Sequence, residues 1–170
     1  CQGDLAGLLE RWAADGSSAF ADWVRAQKDP GECVAVLEFL ARHSFDAGRL
    51  EHARDLHLVL AKVLDTASHW NNYALLCRDT RRYQESWDGY VNALGLEPDS
   101  PQLLNDEAVI LHYHLATPEN LTKARGMYER AVEQARIVLA DSAATREQKD
   151  RARQALSDAT GNIRRMKDEG

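Results

Sequence analysis

Apolar side chains recur three and four positions apart along most of the chain, which is the spacing of one face of an α-helix. The pattern is clearest in residues 67–100, where small and apolar residues mark one face of each of two consecutive helices. They are Trp70, Tyr73, Ala74 and Cys77 on the first helix, and Ser86, Tyr90 and Ala93 on the second. A helical hairpin of this length cannot bury its apolar face alone. The pattern therefore predicts stacked copies of the hairpin.

The ends of the two helices are also marked in the sequence. Asp79 and Thr80 predict an N-cap for the second helix, and Pro98 predicts its end. Together with Pro98, the spacing of the face residues closely resembles the tetratricopeptide repeat (TPR), a two-helix unit of about 34 residues. Cys77 and Ser86 are mild departures from the family's pattern. The resemblance implies an all-α fold, in which antiparallel helix pairs stack into a right-handed superhelix.

Further copies of the repeat are found one repeat length away in both directions. The predicted segments are a helical lead-in at 4–29, a degenerate repeat at 34–66, the best repeat at 67–100, a repeat with a four-residue insertion at 101–140, and a capping helix at 145–167. The insertion is about one helical turn, so it lengthens the hairpin and keeps its inward face inward. We interpret residues 1–170 as a single α-helical repeat domain.

Two capping signals support the last segments. Thr117 and Pro118 predict the start of a helix that continues to about Ala140. Thr145 with Gln148 resembles a capping box that opens the final helix.

The resemblance also implies a binding surface, because the first helices of stacked TPRs line a concave groove. The family's groove-facing positions carry over onto Glu38, Arg42, Asn71, Asn72, Leu75, Arg78, Asn105, Asp106, Val109, His112 and Tyr113. The remaining positions that carry over are Ala35, Phe39, Phe45, Asp46, Ser68, Asp79 and Gln102. The asparagine amides could bind the backbone of an extended peptide, since an amide both donates and accepts hydrogen bonds; equally, they could be solvated polar residues near a helix start. The carboxylate clamp of some TPR co-chaperones is not expected, because its lysines are missing.

Composition and motifs narrow the class of protein. The net charge of −6 argues against nucleic-acid binding, and no apolar run approaches the ~20 residues that cross a bilayer. The six histidines show no metal-ligand spacing, so we expect surface or partly buried side chains. No catalytic motif is present. We therefore expect neither an enzyme nor a metal or other cofactor.

The three cysteines raise separate questions. Cys33 and Cys77 would lie ~16 Å apart along parallel helices, beyond the ~7 Å that a disulfide tolerates, so we expect both to be thiols rather than disulfide partners. Cys1 has two interpretations: the lipidated first residue of a mature bacterial lipoprotein, or an arbitrary fragment boundary. Localisation accordingly stays open between the cytoplasm and, with a lipid anchor at Cys1, a membrane-anchored periplasmic site.

Two functions remain. The first is a non-catalytic interaction module that binds a peptide or a partner's helix in the groove. The alternative is a structural or self-association module of a larger multidomain protein or lipoprotein, with a homodimer formed through the last hairpin or the last helix. An enzyme would require a catalytic domain elsewhere in a parent chain. The sequence does not identify the partner.

Overall fold

The computed structural model describes the backbone of residues 5–168, and the side chain of Trp12 together with those from residue 16 onward within that range. Over these residues the chain forms eight α-helices and no strand. They are α1 (Leu5–Arg25), α2 (Pro30–Asp46), α3 (Leu50–Leu64), α4 (Ala67–Asp79), α5 (Tyr83–Leu96), α6 (Pro101–Tyr113), α7 (Pro118–Ala140) and α8 (Arg146–Asp168). The helices group into two compact units, Cys1–Arg82 and Tyr83–Gly170, with the boundary between α4 and α5. We call them unit 1 and unit 2.

Unit 1 is built around α3, which packs against α1, α2 and α4. Its core is formed by buried side chains of the first three helices: Phe20, Ala21, Val24, Cys33, Leu37, Ala41, Leu56, Val59 and Leu60. Within α1 the backbone leaves the helical conformation at Gly16, where φ is 73° and ψ is 169°. Because glycine has no Cβ, it adopts this positive φ at little cost, and α1 consists of two helical segments joined by a kink.

The end of α4 differs from the sequence prediction. Asp79 is the last residue of α4, and the hydroxyl of Thr80 donates to the carbonyl of Leu76 at 2.7 Å. Thr80 therefore binds the C-terminal end of α4, and α5 begins only at Tyr83. The predicted N-cap at Asp79 and Thr80 is wrong, because the hydroxyl satisfies carbonyls of the helix before it rather than amides of the helix after it.

Unit 2 packs α6 against α5, α7 and α8, and α7 against α8. Its core contains Leu104, Ala108, Leu111, Ala124, Met127, Tyr128, Ala131 and Ala159. Thr117 caps α7, whose bounds agree with the prediction from Pro118 to Ala140. The capping box is confirmed: the backbone amide of Thr145 donates to Oε1 of Gln148 at 2.8 Å, and the amide of Gln148 donates to Oγ1 of Thr145 at 3.2 Å.

The cysteine prediction is half wrong. Cys77 is a buried thiol, as expected, but Cys33 is disulfide-bonded. The distance argument excluded only a bond between these two residues. The predicted lipidation site, Cys1, lies outside the residues that the structure describes. Among the described residues, no helix combines the length and apolarity needed to span a membrane.

Candidate functional site

A cavity of about 540 Å³ opens in unit 1 between α2 and α4. It is lined by Glu38, Arg42, Phe45, His57, His69, Asn72, Leu75, Leu76, Arg78 and Asp79. We call it the α2–α4 cavity, although His57 reaches it from α3. Ligand pockets in proteins measure about 300–1,000 Å³, so the volume of this cavity is within the range of a binding site.

Most predicted groove residues of unit 1 meet at this cavity. Glu38, Arg42, Asn72, Leu75 and Arg78 all line it, as do the family-derived positions Phe45 and Asp79. The structure thus brings these side chains together, and their role in partner binding stays a prediction. Asn71 does not line the cavity: its Oδ1 is buried and lacks a hydrogen-bond partner within the part of the chain that the structure describes.

One part of the lining is apolar. Phe45 leaves 53% of its surface exposed, and Leu75 from α4 is half-buried. Leu76 lies deeper and is buried. An aromatic ring left this exposed at the mouth of a cavity provides apolar surface that a partner could cover.

Two histidines belong to the polar part of the lining. Burial, followed by the charge of His69, lowers the pKa of His57 from 6.5 to about 4, so its imidazole is neutral at pH 7. Nδ1 of His57 is buried without a hydrogen-bond partner among the described residues. Nδ1 of His69 lies 2.7 Å from the hydroxyl of Thr66, and its Nε2 lies 3.6 Å from Oε1 of Glu38. The contact between His69 and Glu38 connects α4 to α2 across the cavity.

Sequence reasoning missed both histidines as lining residues. His57 occupies the second-helix position where the repeat pattern has an aromatic residue. This substitution could have identified His57 as a lining residue, because a polar ring stands where the repeat pattern has an aromatic one. The position lies beside the surface formed by the first helices.

The two arginines of the cavity differ in whether they form an ion pair. Nε and Nη2 of Arg78 both lie 3.0 Å from Oδ1 of Asp79, so these charges compensate each other within α4. The side chain of Arg42 makes no ion pair or hydrogen bond with any residue in the described range 5–168. The cavity therefore offers a guanidinium beside an apolar surface.

The predicted groove residues of α6 have partners inside unit 2. Oδ1 of Asn105 accepts from Nδ2 of Asn162 on α8 at 3.3 Å, and the hydroxyl of Tyr113 donates to Oδ1 of Asn162 at 3.3 Å. Asn105 is buried, and its Nδ2 donates to Asp106 at 3.1 Å. Helix α8 thus covers this part of α6. The binding role of Asn105, Asp106 and Tyr113 stays a prediction.

Two more residues of this set pack against the core of unit 2. Val109 contacts the core cluster, and His112 is buried. Nδ1 of His112 lies 3.4 Å from the hydroxyl of Tyr128. The expectation that the histidines are surface or partly buried side chains is wrong for His112, because its ring is buried where α6 packs against Tyr128 of α7. Among the described residues, no group of three His, Cys, Asp or Glu side chains is arranged to hold a metal ion.

The comparisons with known proteins agree with this architecture. No protein-family model matches the chain, and no curated protein matches it by sequence. Three similar solved structures are PcrH in complex with the chaperone binding region of PopD, the Yersinia enterocolitica type III secretion chaperone SycD in complex with a peptide of the translocator YopD, and MamA.

The likeness extends over most of each chain. PcrH matches at 17% identity with a TM-score of 0.56, covering 77% of this chain and 93% of its own. SycD matches at 14% identity with a TM-score of 0.57, covering 80% of this chain and 98% of its own. MamA matches at 14% identity with a TM-score of 0.51, covering 99% of this chain and 91% of its own. These are TPR-like proteins built from superhelical helix pairs. The fold is TPR-like. The predicted fold class is thereby confirmed, and at these identities the likeness shows the fold alone.

Proposed function

We propose that this chain is a non-catalytic protein-interaction module that holds a peptide segment of a partner protein in the α2–α4 cavity. The observation that carries the proposal is the convergence of Phe45, Leu75 and Arg42 on one cavity of about 540 Å³. Apolar anchors beside a few polar groups are what a peptide-binding site requires, because the apolar part contributes affinity and the polar part sets orientation.

The comparisons support the same reading. The matched structures of PcrH and SycD each contain a segment of another protein: the chaperone binding region of PopD and a peptide of the translocator YopD. These structures are of chaperones, which agrees with a module that binds without catalysis. They do not favour the alternative of a self-association module.

A peptide selection tests the proposal. A phage-displayed library of random peptides is selected on the full chain, and the enriched peptides are synthesised with a fluorophore for anisotropy titrations. We expect Phe45→Ser to weaken binding by about tenfold or more, because the exposed ring is the apolar anchor of the cavity. Its melting temperature should stay near that of the wild type, since the ring is already 53% exposed.

Ile137 provides a matched control. It is 54% exposed, nearly the same as Phe45, and lies on α7 in unit 2. Ile137→Ser should leave peptide affinity unchanged. Failure to enrich any binding peptide, or equal affinities for the wild type and Phe45→Ser, would refute the proposed function.

A further inference from the structure

One cation at the α2–α4 cavity, the Arg42 guanidinium, forms no ion pair with any residue that the structure describes. Asp79 is paired with Arg78, and Oε1 of Glu38 lies 3.6 Å from Nε2 of His69 while 52% of the Glu38 side chain stays exposed. His57 is neutral at pH 7. The guanidinium of Arg42 has no ion pair or hydrogen bond within residues 5–168. A negatively charged group entering the cavity would therefore meet a guanidinium that has no competing internal partner.

The position of Glu38 explains why Arg42 is available. The two residues stand four apart on α2, with the acidic residue first, which is the favourable spacing for a helical ion pair. The structure shows no such pair: Oε1 of Glu38 lies 3.6 Å from Nε2 of His69 on α4. The carboxylate of Glu38 thus approaches α4 and forms no ion pair with Arg42.

Apolar surface lies next to this cation. Phe45 follows Arg42 by three positions on α2, so the two side chains share one helix face. Leu75 lines the same cavity from α4. A guanidinium binds a carboxylate through two parallel hydrogen bonds, which are about twice as strong as neutral ones. A ligand with a carboxylate beside an apolar side chain would satisfy both features together.

We propose that the α2–α4 cavity selects internal peptide segments in which an acidic side chain stands beside a large apolar one. The carboxylate binds Arg42, and the apolar side chain covers Phe45 and Leu75. This inference rests on the proposed function and specifies the chemistry of its ligand. The carboxylate is that of an Asp or Glu side chain rather than a chain terminus, because a single guanidinium takes the place of the several cations of a terminal clamp.

A matched set of probe peptides tests the inference. Each probe is acetylated and amidated, so that it carries no terminal charge, and contains one Phe. A neighbouring position is Glu, Gln or Lys, at each spacing from one to four residues, and affinities are measured by fluorescence anisotropy at low salt. For at least one spacing we expect the Glu probe to bind about tenfold more tightly than the Gln probe, and the Lys probe to bind weakest. The preference for Glu should shrink as salt is added, since Arg42 is exposed.

Variants of the chain test whether Arg42 causes the preference for the Glu probe. Arg42→Gln should bring the Glu and Gln probes to the same affinity, and Arg42→Glu should make the Lys probe the tightest. Arg49→Gln is the control, because Arg49 is an exposed arginine of unit 1 that does not line the cavity, and it should keep the tenfold preference. Phe45→Ser should weaken all three probes by a similar factor.

The outcomes separate the inference from the proposed function. If probes bind and depend on Phe45 but show no preference for Glu, or keep that preference in Arg42→Gln, the inference is wrong and the proposed function stands. A Gln probe with a free C-terminal carboxylate that gains affinity through Arg42, while the internal Glu gains none, also contradicts the inference. If neither the probes nor any selected peptide binds, the proposed function itself fails.

Discussion

Acid should destabilise unit 1 through His57. Its pKa is 6.5 in the unfolded chain and about 4 in the folded chain. The folded value is lower because burial and the charge of His69 oppose protonation. Below pH 6.5 the unfolded chain therefore binds a proton that the folded chain does not, so the free energy of unfolding falls as the pH falls. The loss begins near pH 6.5 and is complete near pH 4, where the folded imidazole is protonated as well.

The size of the effect follows from the two pKa values. At about 1.36 kcal/mol per pH unit, the difference between 6.5 and about 4 corresponds to at most about 3 kcal/mol. Because His57 is only partly buried and solvent screens its charge, we expect about 1–3 kcal/mol. His57→Gln removes the titrating group while keeping a polar side chain of similar length. The variant should therefore lose less stability than the wild type on acidification.

The assay compares urea unfolding of wild type and His57→Gln between pH 7 and pH 4, with hydrogen exchange of α2, α3 and α4 assigning the change to unit 1. Carboxylates titrate in the same range, so the informative quantity is the difference between the two proteins. His43→Gln is the control, since His43 is exposed on α2. We expect the free energy of unfolding of His57→Gln, relative to that of wild type, to change by about 1–3 kcal/mol between pH 7 and pH 4. The free energy of unfolding of His43→Gln, relative to that of wild type, should stay constant over the same range. Parallel curves for His57→Gln and wild type would refute the reasoning.

Two further predictions concern packing in unit 2. Glu107 is buried and accepts from Nε1 of Trp87 at 2.8 Å, so Glu107→Ala should cost about 1–3 kcal/mol in urea unfolding by leaving the indole unpaired. Glu107→Gln keeps an acceptor and should cost less; the opposite order would contradict this. Ala93 is fully buried, so Ala93→Leu should cost about 1–3 kcal/mol through overpacking, whereas Val91→Leu on the exposed side of the same helix should hardly change the melting temperature. Equal melting temperatures for these two variants would mean that the register of α5 is wrong.

The all-helical fold could be predicted because its signals are local. The spacing of apolar residues, the capping box at Thr145 and the proline at 118 each act within a few residues of where they stand. The error at Thr80 came from the same kind of signal. A hydroxyl between two helices can bind either of them, and the choice depends on where each helix ends in space.

The candidate site was only partly predictable, because it depends on contacts between helices distant in sequence. Repeat positions placed Arg42, Asn72 and Leu75 at the cavity, but no local pattern showed that His69 would contact Glu38 from another helix. Likewise, Asn105 has a groove-facing position in the repeat pattern, and its burial depends on Asn162, which lies on α8. Such pairings are set by tertiary packing rather than by helical periodicity.

The central claim is that a peptide occupies the α2–α4 cavity, and chemical-shift mapping tests it most directly. The isotopically labelled full chain is titrated with a peptide from the phage selection, and the backbone amide shifts are followed residue by residue. We predict that the largest shifts occur around Arg42, Phe45 and Leu75, on the two helices that flank the cavity. Shifts confined to α6, α7 and α8, with α2 and α4 unchanged, would contradict the account.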